Sequence, residues 1–347
     1  MFTFHQLRFI SKIAKPAFVF DIDGVLLHSK NPIPKASKTL SLLRQLSIPY
    51  VLLTNGGGLT ESSRASQLSK ILSGSKNDLV LKTQLIQSHT PLNDLVSTHK
   101  RLLLIGGPEE GRQVGESYGF EIIRSVDLVK ADPTIWPFYR FTNDELNRAK
   151  FVNLDKPIDA IVVINDPRDM GSELQIVLDT LISKNGFLGT RRQLPLKNGD
   201  APSIPIIWSN IDFLWSAGYS LPRFGQGAFR TAVRSIYKQL TGIELIDECW
   251  GKPFTKAYNY AHRALSAEAQ RIGSTIDPNE IYMVGDNTES DIMGGNNYQW
   301  NTILLKTGVY KGDGSELTGS RKPSEGVFDD VWHGVAHVLE KNNIMKN

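Results

Sequence analysis

Short apolar runs alternate along this chain with segments whose apolar positions recur every three or four residues, a pattern that predicts an α/β protein with parallel sheets. The runs at 17–20, 50–54, 101–105, 120–123, 158–164, 206–208, 281–285 and 301–305 read as strands buried on both faces. Helical periodicity covers 34–46, 60–72, 109–118, 171–183, 226–240, 254–267, 289–297 and 329–341. Local signals fix several starts: Pro34 ahead of the first helix, Thr60 as an N-cap, and Thr142 with Glu145 as a capping box for a short extra helix. The polar stretch 311–326, with four glycines and one proline, reads as a mobile surface loop.

The alternation divides into two series. One occupies residues 16–86 and resumes at 205–347; the other, 87–204, is an insertion with its own core and hinges near Ser88 and Ser203. The Gly- and Pro-bearing stretch 189–205 reads as the connector back to the first series.

A chain of 347 residues is long enough for two cores of ordinary size, and 40% hydrophobic with 22% charged residues is the balance of a globular protein. No apolar stretch reaches the roughly 20 residues a membrane-spanning helix needs. The single cysteine, Cys249, excludes an intramolecular disulfide and reads as a reduced, buried thiol. The net charge of +3 matters less than where it lies. Residues 1–20 hold Arg8, Lys12 and Lys15, no acid, and interleaved Phe2, Phe4, Leu7, Phe9, Ile10 and Ile13. Such a segment reads as a mitochondrial presequence over 1–15, with a docked or loose tail on a cytoplasmic protein as the alternative. Without residues 1–15 the chain is formally neutral, which removes the phosphate attraction that dominates nucleic-acid binding.

The candidate chemistry sits where strands end. Asp21-Ile22-Asp23-Gly24 follows the first strand, Thr54-Asn55-Gly56 the second, and Gly285-Asp286 a late one, with Asp291 five residues on; Gly251-Lys252-Pro253 adds an ammonium group. Ligands of open parallel sheets bind beyond the carboxyl ends of strands, so these ends are expected to converge on one crevice. Paired carboxylates there can hold a hard cation and offer a nucleophile. Each signal alone has a plainer explanation: turn chemistry for the aspartate–glycine pair, an exposed surface position for Lys252, a helix N-terminal charge for Asp291. Other patterns carry less. Gly56-Gly57-Gly58 lacks the following G-K-[ST] of a phosphate loop, Gly106-Gly107-Pro108 reads as a strand end, and His333 with His337 lacks a third ligand. Arg223 beside Gly225 reads as part of a segment whose Phe224 and Phe229 pack in the core.

Taken in order, D-x-D-G, T-N, G-K-P and G-D-x-x-x-x-D resemble the haloacid dehalogenase superfamily, class IIA. The segments Leu53 to Gly58, Ser209-Asn210-x-Asp212, Arg223 to Phe229 and Lys306 to Tyr310 resemble its mitochondrial hydrolase branch, the cat eye syndrome critical region hydrolases and their fungal relatives. The resemblance implies a Rossmann-like core with a parallel sheet and an inserted α/β cap of C2 type. It implies a Mg²⁺-dependent phosphatase that hydrolyses a small phosphorylated metabolite through an aspartyl-phosphate, with a catalytically idle or regulatory ligand-binding protein as the alternative. By motif, Asp21 is the nucleophile and Asp23 the acid–base. Asp21, the Asp23 carbonyl, Asp286 and Asp291 serve the metal, Asp286 directly and Asp291 through a metal-bound water or by orienting Lys252. Thr54 and the amides of Asn55 and Gly56 hold the phosphoryl oxygens, and Lys252 supplies fixed charge. An aspartate two residues after the nucleophile is the phosphatase pattern, as opposed to the dehalogenase one. In the cap, the loop carrying Asp166, Arg168 and Asp169 is the expected specificity segment. It departs there from the G-x-D pattern of better-known members.

Overall fold

The computed structural model describes residues 14–73, 79–215, 219 and 221–345. Its principal strands are β1 (Lys15–Phe20), β2 (Tyr50–Leu53), β3 (Leu85–Ile86), β4 (Arg101–Ile105), β5 (Glu121–Ile123), β6 (Ala160–Val163), β7 (Ile206–Trp208), β8 (Glu248–Cys249), β9 (Ile276–Gly285), β10 (Asn301–Leu305) and β11 (Gly326–Phe328). The helices are α1 (Ala36–Gln45), α2 (Glu61–Ser73), α3 (Glu110–Ser117), α4 (Ser125–Ala131), α5 (Asn143–Arg148), α6 (Met170–Leu181), α7 (Gln226–Thr241), α8 (Thr255–Arg271), α9 (Met293–Asn297) and α10 (Val331–Lys341). The chain forms two compact units. The first holds the residues up to Leu53, Ala65–Leu85 and everything from Tyr258; the second holds Thr54–Arg64 and Ile86–Ala257.

The first unit is built on a six-stranded sheet in the order β11-β10-β9-β1-β2-β3. Its central strand, β1, runs parallel to both neighbours, with Phe18 opposite Tyr50 on one side and Tyr282 on the other. Phe18 and Phe20 are fully buried, and Phe18 stacks on Tyr282 at 5.6 Å. That is why β1 reads as an unbroken apolar run: helices cover both faces of a parallel sheet, and neither face tolerates a polar residue. Because β1 lies between β2 and β9, chain connections leave it in both directions, which opens a crevice at its carboxyl end.

The second unit carries a five-stranded sheet, β8-β7-β6-β4-β5, whose recorded pairs are parallel. The sequence reading returned the chain to the first sheet at residue 205. Ile206–Trp208 instead pairs with β6, Ile206 opposite Ile161, and the unit continues to Ala257. Trp208, fully buried, packs edge-on against Phe229 of α7 at 6.0 Å. A short apolar strand fits either sheet by composition; the partner it pairs with decides. A buried ion pair fixes the far edge: the Arg112 guanidinium donates to Asp127 at 2.9 Å and to the Ile122 carbonyl, while Asp127 also accepts from the amides of Arg124 and Lys150.

Several smaller expectations meet corrections. Lys15, placed at the end of the presequence, is the first residue of β1, and its ammonium donates to the Leu46 carbonyl at 2.6 Å. The presequence reading otherwise falls on residues 1–13, outside the described residues. Phe229 is buried as expected, but Phe224 is exposed, in a two-strand ribbon with Leu214. Cys249 is half-buried, not buried, and partial burial pushes its thiol up to about 11. The stretch 289–297 begins as a wide π turn, Thr288–Ile292, before α9. Thr60 and Thr142 cap as expected, accepting from the amides of Ser63 and Glu145.

His89 yields a test of the second unit. It is fully buried, with Nδ1 2.9 Å from the Tyr118 hydroxyl, and burial pushes its pKa down from 6.5 to about 4. Between those values the unfolded chain binds a proton that the folded chain refuses, so stability is held above the upper value and lost as pH falls toward the lower. Urea titrations at about pH 7 and about pH 4.5 should show a smaller drop for His89→Gln than for wild type, by on the order of 2 kcal/mol. Equal drops would assign the acid sensitivity to other groups.

Candidate active site

At the carboxyl end of β1 the chain leaves the sheet through Asp21, whose amide donates to the Val284 carbonyl of β9 at 2.9 Å. Asp286 follows β9 in the same way, and the π turn after it carries Asp291 back. One carboxylate oxygen from each of Asp21, Asp286 and Asp291 lies within 4.8 Å of the others, and all three residues are buried. Three negative charges so close repel strongly where water is excluded.

The surroundings answer part of that repulsion. Asp286 accepts from the Val309 amide at 2.6 Å, and Asp291 accepts from the amides of Asp286 and Asn287, each at 3.2 Å. The buried Tyr258 hydroxyl donates to the Ser290 and Asp291 carbonyls, which holds the turn in place. Burial, reinforced by Asp291 and Asp21, raises its own pKa well above the ordinary value. A hard divalent cation would answer the rest: all-oxygen anionic donors at this spacing are the set that Mg²⁺ or Ca²⁺ prefers.

Two glycines make the cluster possible. A Cβ on Gly308 would lie 1.8 Å from Asp286 Oδ2, and one on Gly285 would lie 2.2 Å from the Asp291 Cβ. Lys306 to Tyr310 stands out in the sequence as a motif, but nothing in it assigns Gly308 and Val309 a task. The signal was there in a glycine shortly after a buried strand, Lys306 and Thr307 between them.

Of the metal residues named from sequence, Asp21, Asp286 and Asp291 come together, while the Asp23 side chain is exposed and outside the carboxylate cluster. Asp23 lies in the turn where the Ile22 carbonyl accepts from the amides of Val25, Leu26 and Leu27.

In the second unit, Asn55, which follows Thr54, meets Lys252. The Asn55 side chain accepts from the Lys252 amide at 2.8 Å and donates to the Lys252 carbonyl at 3.1 Å, a two-bond clamp across 197 positions of sequence. Gly251 is needed beside it, since a Cβ there would lie 2.2 Å from the Ser209 carbonyl. The clamp fixes the backbone of Lys252, whose side chain is buried. Asn55, expected to act through its amide, therefore has a positioning task that sequence reasoning missed. The Gly56 amide, expected on a phosphoryl oxygen, donates to Thr54 Oγ1 at 3.0 Å.

The cap-loop candidates separate. Asp166 is half-buried beside α7, with its pKa raised by burial. Asp169 instead caps α6, accepting from the amides of Gly171 and Ser172. Arg168 is exposed and lines a cavity with Arg124 and Glu173. His333 and His337 contact Asp330 and Glu325 and hold no metal cluster among the described residues.

Known proteins share this chain's sequence pattern and fold. A family described as haloacid dehalogenase-like hydrolase matches residues 18–121, and a HAD-hydrolase-like family matches residues 249–333. A mitochondrial hydrolase of Saccharomyces cerevisiae is 40% identical, over 96% of this chain and 98% of its own. A cardiolipin synthase (CMP-forming)/mitochondrial hydrolase fusion protein of Schizosaccharomyces pombe is also 40% identical over 96% of this chain; this chain spans about half of it, 54%. Among solved structures, a p-nitrophenyl phosphatase from Archaeoglobus fulgidus shares the fold, with a TM-score of 0.62 at 19% identity, over 92% of this chain and 97% of that one.

The carboxylate cluster predicts an unusual response to charge removal. Without metal, Asp291→Asn relieves repulsion and should melt no lower than wild type. Millimolar Mg²⁺ should raise the wild-type melting temperature by roughly 2 °C or more, and this rise should vanish in Asp291→Asn and in Gly308→Ala. A full Mg²⁺ response in either variant would contradict the cluster as a cation site.

Proposed function

This chain belongs to the haloacid dehalogenase-like hydrolases, and from that premise we propose that it is a Mg²⁺-dependent phosphatase acting on a small phosphorylated metabolite. The observation that carries the reading is the buried trio Asp21, Asp286 and Asp291, with carboxylate oxygens within 4.8 Å at the ends of adjacent parallel strands. Bound there, Mg²⁺ would offset the like-charge repulsion between a carboxylate nucleophile and a phosphate dianion. The motif order adds the Asp23 carbonyl to the metal's ligands, and Thr54 with Lys252 as the groups that hold and neutralise the transferring phosphoryl.

In the first step an oxygen of Asp21 attacks phosphorus, the bond from phosphorus to the leaving oxygen breaks, and Asp23 gives that oxygen its proton. In the second, Asp23 takes a proton from water, the water oxygen attacks phosphorus, and the Asp21–phosphate bond breaks to release inorganic phosphate. Exposure of Asp23 supports this assignment, because an acid–base that works on solvent must reach it. The curated relatives are named mitochondrial hydrolases, and the acid-free, basic and apolar N-terminal segment fits import, so the mitochondrial matrix is the proposed location.

The test is hydrolysis of p-nitrophenyl phosphate with and without Mg²⁺. Asp21→Asn should reduce turnover to background, and Asp23→Asn should lower kcat by about 10²–10⁴-fold. Undiminished turnover in Asp21→Asn would remove the nucleophile from the scheme, and tight binding of phosphorylated metabolites without turnover by wild type would favour an idle ligand-binding protein.

A further inference from the structure

Residues 54–60 join β2 to α2, and the Asn55 clamp on Lys252 fixes only their early part. A second hold comes from residues 87–90, which follow β3. Gln87 Nε2 donates to the Leu59 carbonyl at 2.8 Å, and the Ser88 amide donates to the Gly56 carbonyl at 3.3 Å. Gln87, Ser88 and His89 are all buried, so these bonds are sheltered from competing water. The His89 ring lies against Gly57, where a Cβ would come 2.9 Å from both His89 Cδ2 and Ser88 Oγ. Only a residue without a Cβ can follow that wall so closely.

The ring is itself held. Glu61, in the first turn of α2, accepts from the Thr90 hydroxyl at 2.6 Å and, through the same carboxylate oxygen, from the Tyr118 hydroxyl. Thr90 Oγ1 in turn accepts from the Gln87 amide at 2.9 Å, which closes the segment on itself. The Tyr118 oxygen lies 2.9 Å from His89 Nδ1. A phenol has one proton to give and Glu61 takes it, so the proton of the contact with His89 sits on Nδ1. Burial keeps the ring neutral by pulling its pKa down to about 4. A neutral ring protonated there has one orientation, because turning it over would face the Tyr118 oxygen with a carbon and leave the hydrogen bond unmade.

The chain of contacts thus runs from carboxylate to phenol to imidazole to glycine backbone, and every member belongs to the second unit. Apolar packing alone could bury residues 87–90. Hydrogen bonds add direction, and a segment with Gly56, Gly57 and Gly58 in succession has no side chains at those positions to fix itself in place.

We propose that Glu61, Tyr118 and His89 are positioning residues: hydrogen bonds that start at the Glu61 carboxylate set, through the His89 ring, where the backbone of residues 54–58 lies and hence where its donors meet a phosphoryl group. The inference rests on the reading of Thr54, Asn55 and Gly56 as the phosphoryl-holding groups. The experiment compares the wild-type full chain with Tyr118→Phe, Glu61→Leu and Glu61→Gln. Two measurements are made: steady-state hydrolysis of p-nitrophenyl phosphate in Mg²⁺, and amide hydrogen exchange resolved over residues 55–59 and over β4 and β6. Tyr118→Phe and Glu61→Leu should lower kcat by about tenfold or more while KM changes by less than about threefold, because misplaced holding groups cost most in the transition state. In the same two variants exchange should quicken by about fivefold or more at 55–59 and stay unchanged in β4 and β6. Glu61→Gln keeps an oxygen for both hydroxyls and should retain kcat within about twofold. Unchanged exchange at 55–59, a rise shared equally by β4 and β6, full turnover over a loosened loop, or a loss in Glu61→Gln as large as in Glu61→Leu each overturns the proposal. If Glu61→Leu does not fold, Tyr118→Phe decides. If the wild type hydrolyses no phosphate ester, the phosphatase reading falls separately, and the exchange pattern decides whether this chain of bonds holds the loop.

Discussion

Crowding three carboxylates into a volume that excludes water is the constraint around which the first unit is arranged. Such a cluster is tolerable only where backbone donors are aimed at it and a cation can share it. The amides of Val309, Asp286 and Asn287 supply the donors, and their positions follow from the parallel sheet. β1 and β9 are hydrogen-bonded neighbours, so the residues that follow them, Asp21 and Asp286, emerge side by side. β10, the next strand out, ends at Leu305 and delivers Gly308 and Val309 against Asp286. Remove the sheet register and no local preference of these residues would bring the oxygens together.

What the sequence made legible follows from the same physics. Strands buried on both faces must be apolar throughout, so β1, β2, β4 and β10 stand out, and a carboxylate directly after such a strand is conspicuous. The short ladders were harder. Ile206–Trp208 looks alike in either sheet, and its true partner, β6, could be known only from pairing. Glu248–Cys249 has no apolar run at all and joins its sheet through backbone bonds to β7. The Asn55–Lys252 clamp is backbone recognition by a side-chain amide, which leaves no periodicity to read. Gly308 and Gly285 were visible as glycines, but the reason for them is the atom each would strike, and that atom belongs to a residue distant in sequence or carried back by a π turn.

The two sheets share one organisational rule with different outcomes. In each, an early strand sits inside the sheet with later strands added on both sides. In the first unit the ends carry aspartates and the crevice suits a cation. In the second the corresponding ends carry Gly106, Gly107 and Asn165, with Arg124 and Glu173 packed against them, and a Cβ on Gly106 would lie 1.9 Å from the Asn165 carbonyl. Fold supplies the strand ends, and side chains decide what they can hold.

The D-x-D-G segment shows how one turn gives two neighbouring carboxylates opposite environments. Asp21 is still held by the sheet, its amide bonded to Val284, and it is 8% exposed. At Ile22 the chain breaks away: one carbonyl gathers three successive amides, and Gly24 adopts a φ of 84°. That left-handed conformation is unfavourable for other residues, and a Cβ at Gly24 would in addition lie 2.4 Å from Asp286 Oδ2. The turn therefore swings Asp23 to the surface while locking Asp21 inside. A dry carboxylate beside fixed charge and a wet one open to protons are the two environments that a nucleophile and an acid–base require, and opposed environments are how one protein assigns two like residues to different work. A larger residue at Gly24 would disturb both at once, through the turn that exposes Asp23 and through the contact with Asp286, so the glycine of this motif is a structural requirement of the chemistry its two aspartates are proposed to perform.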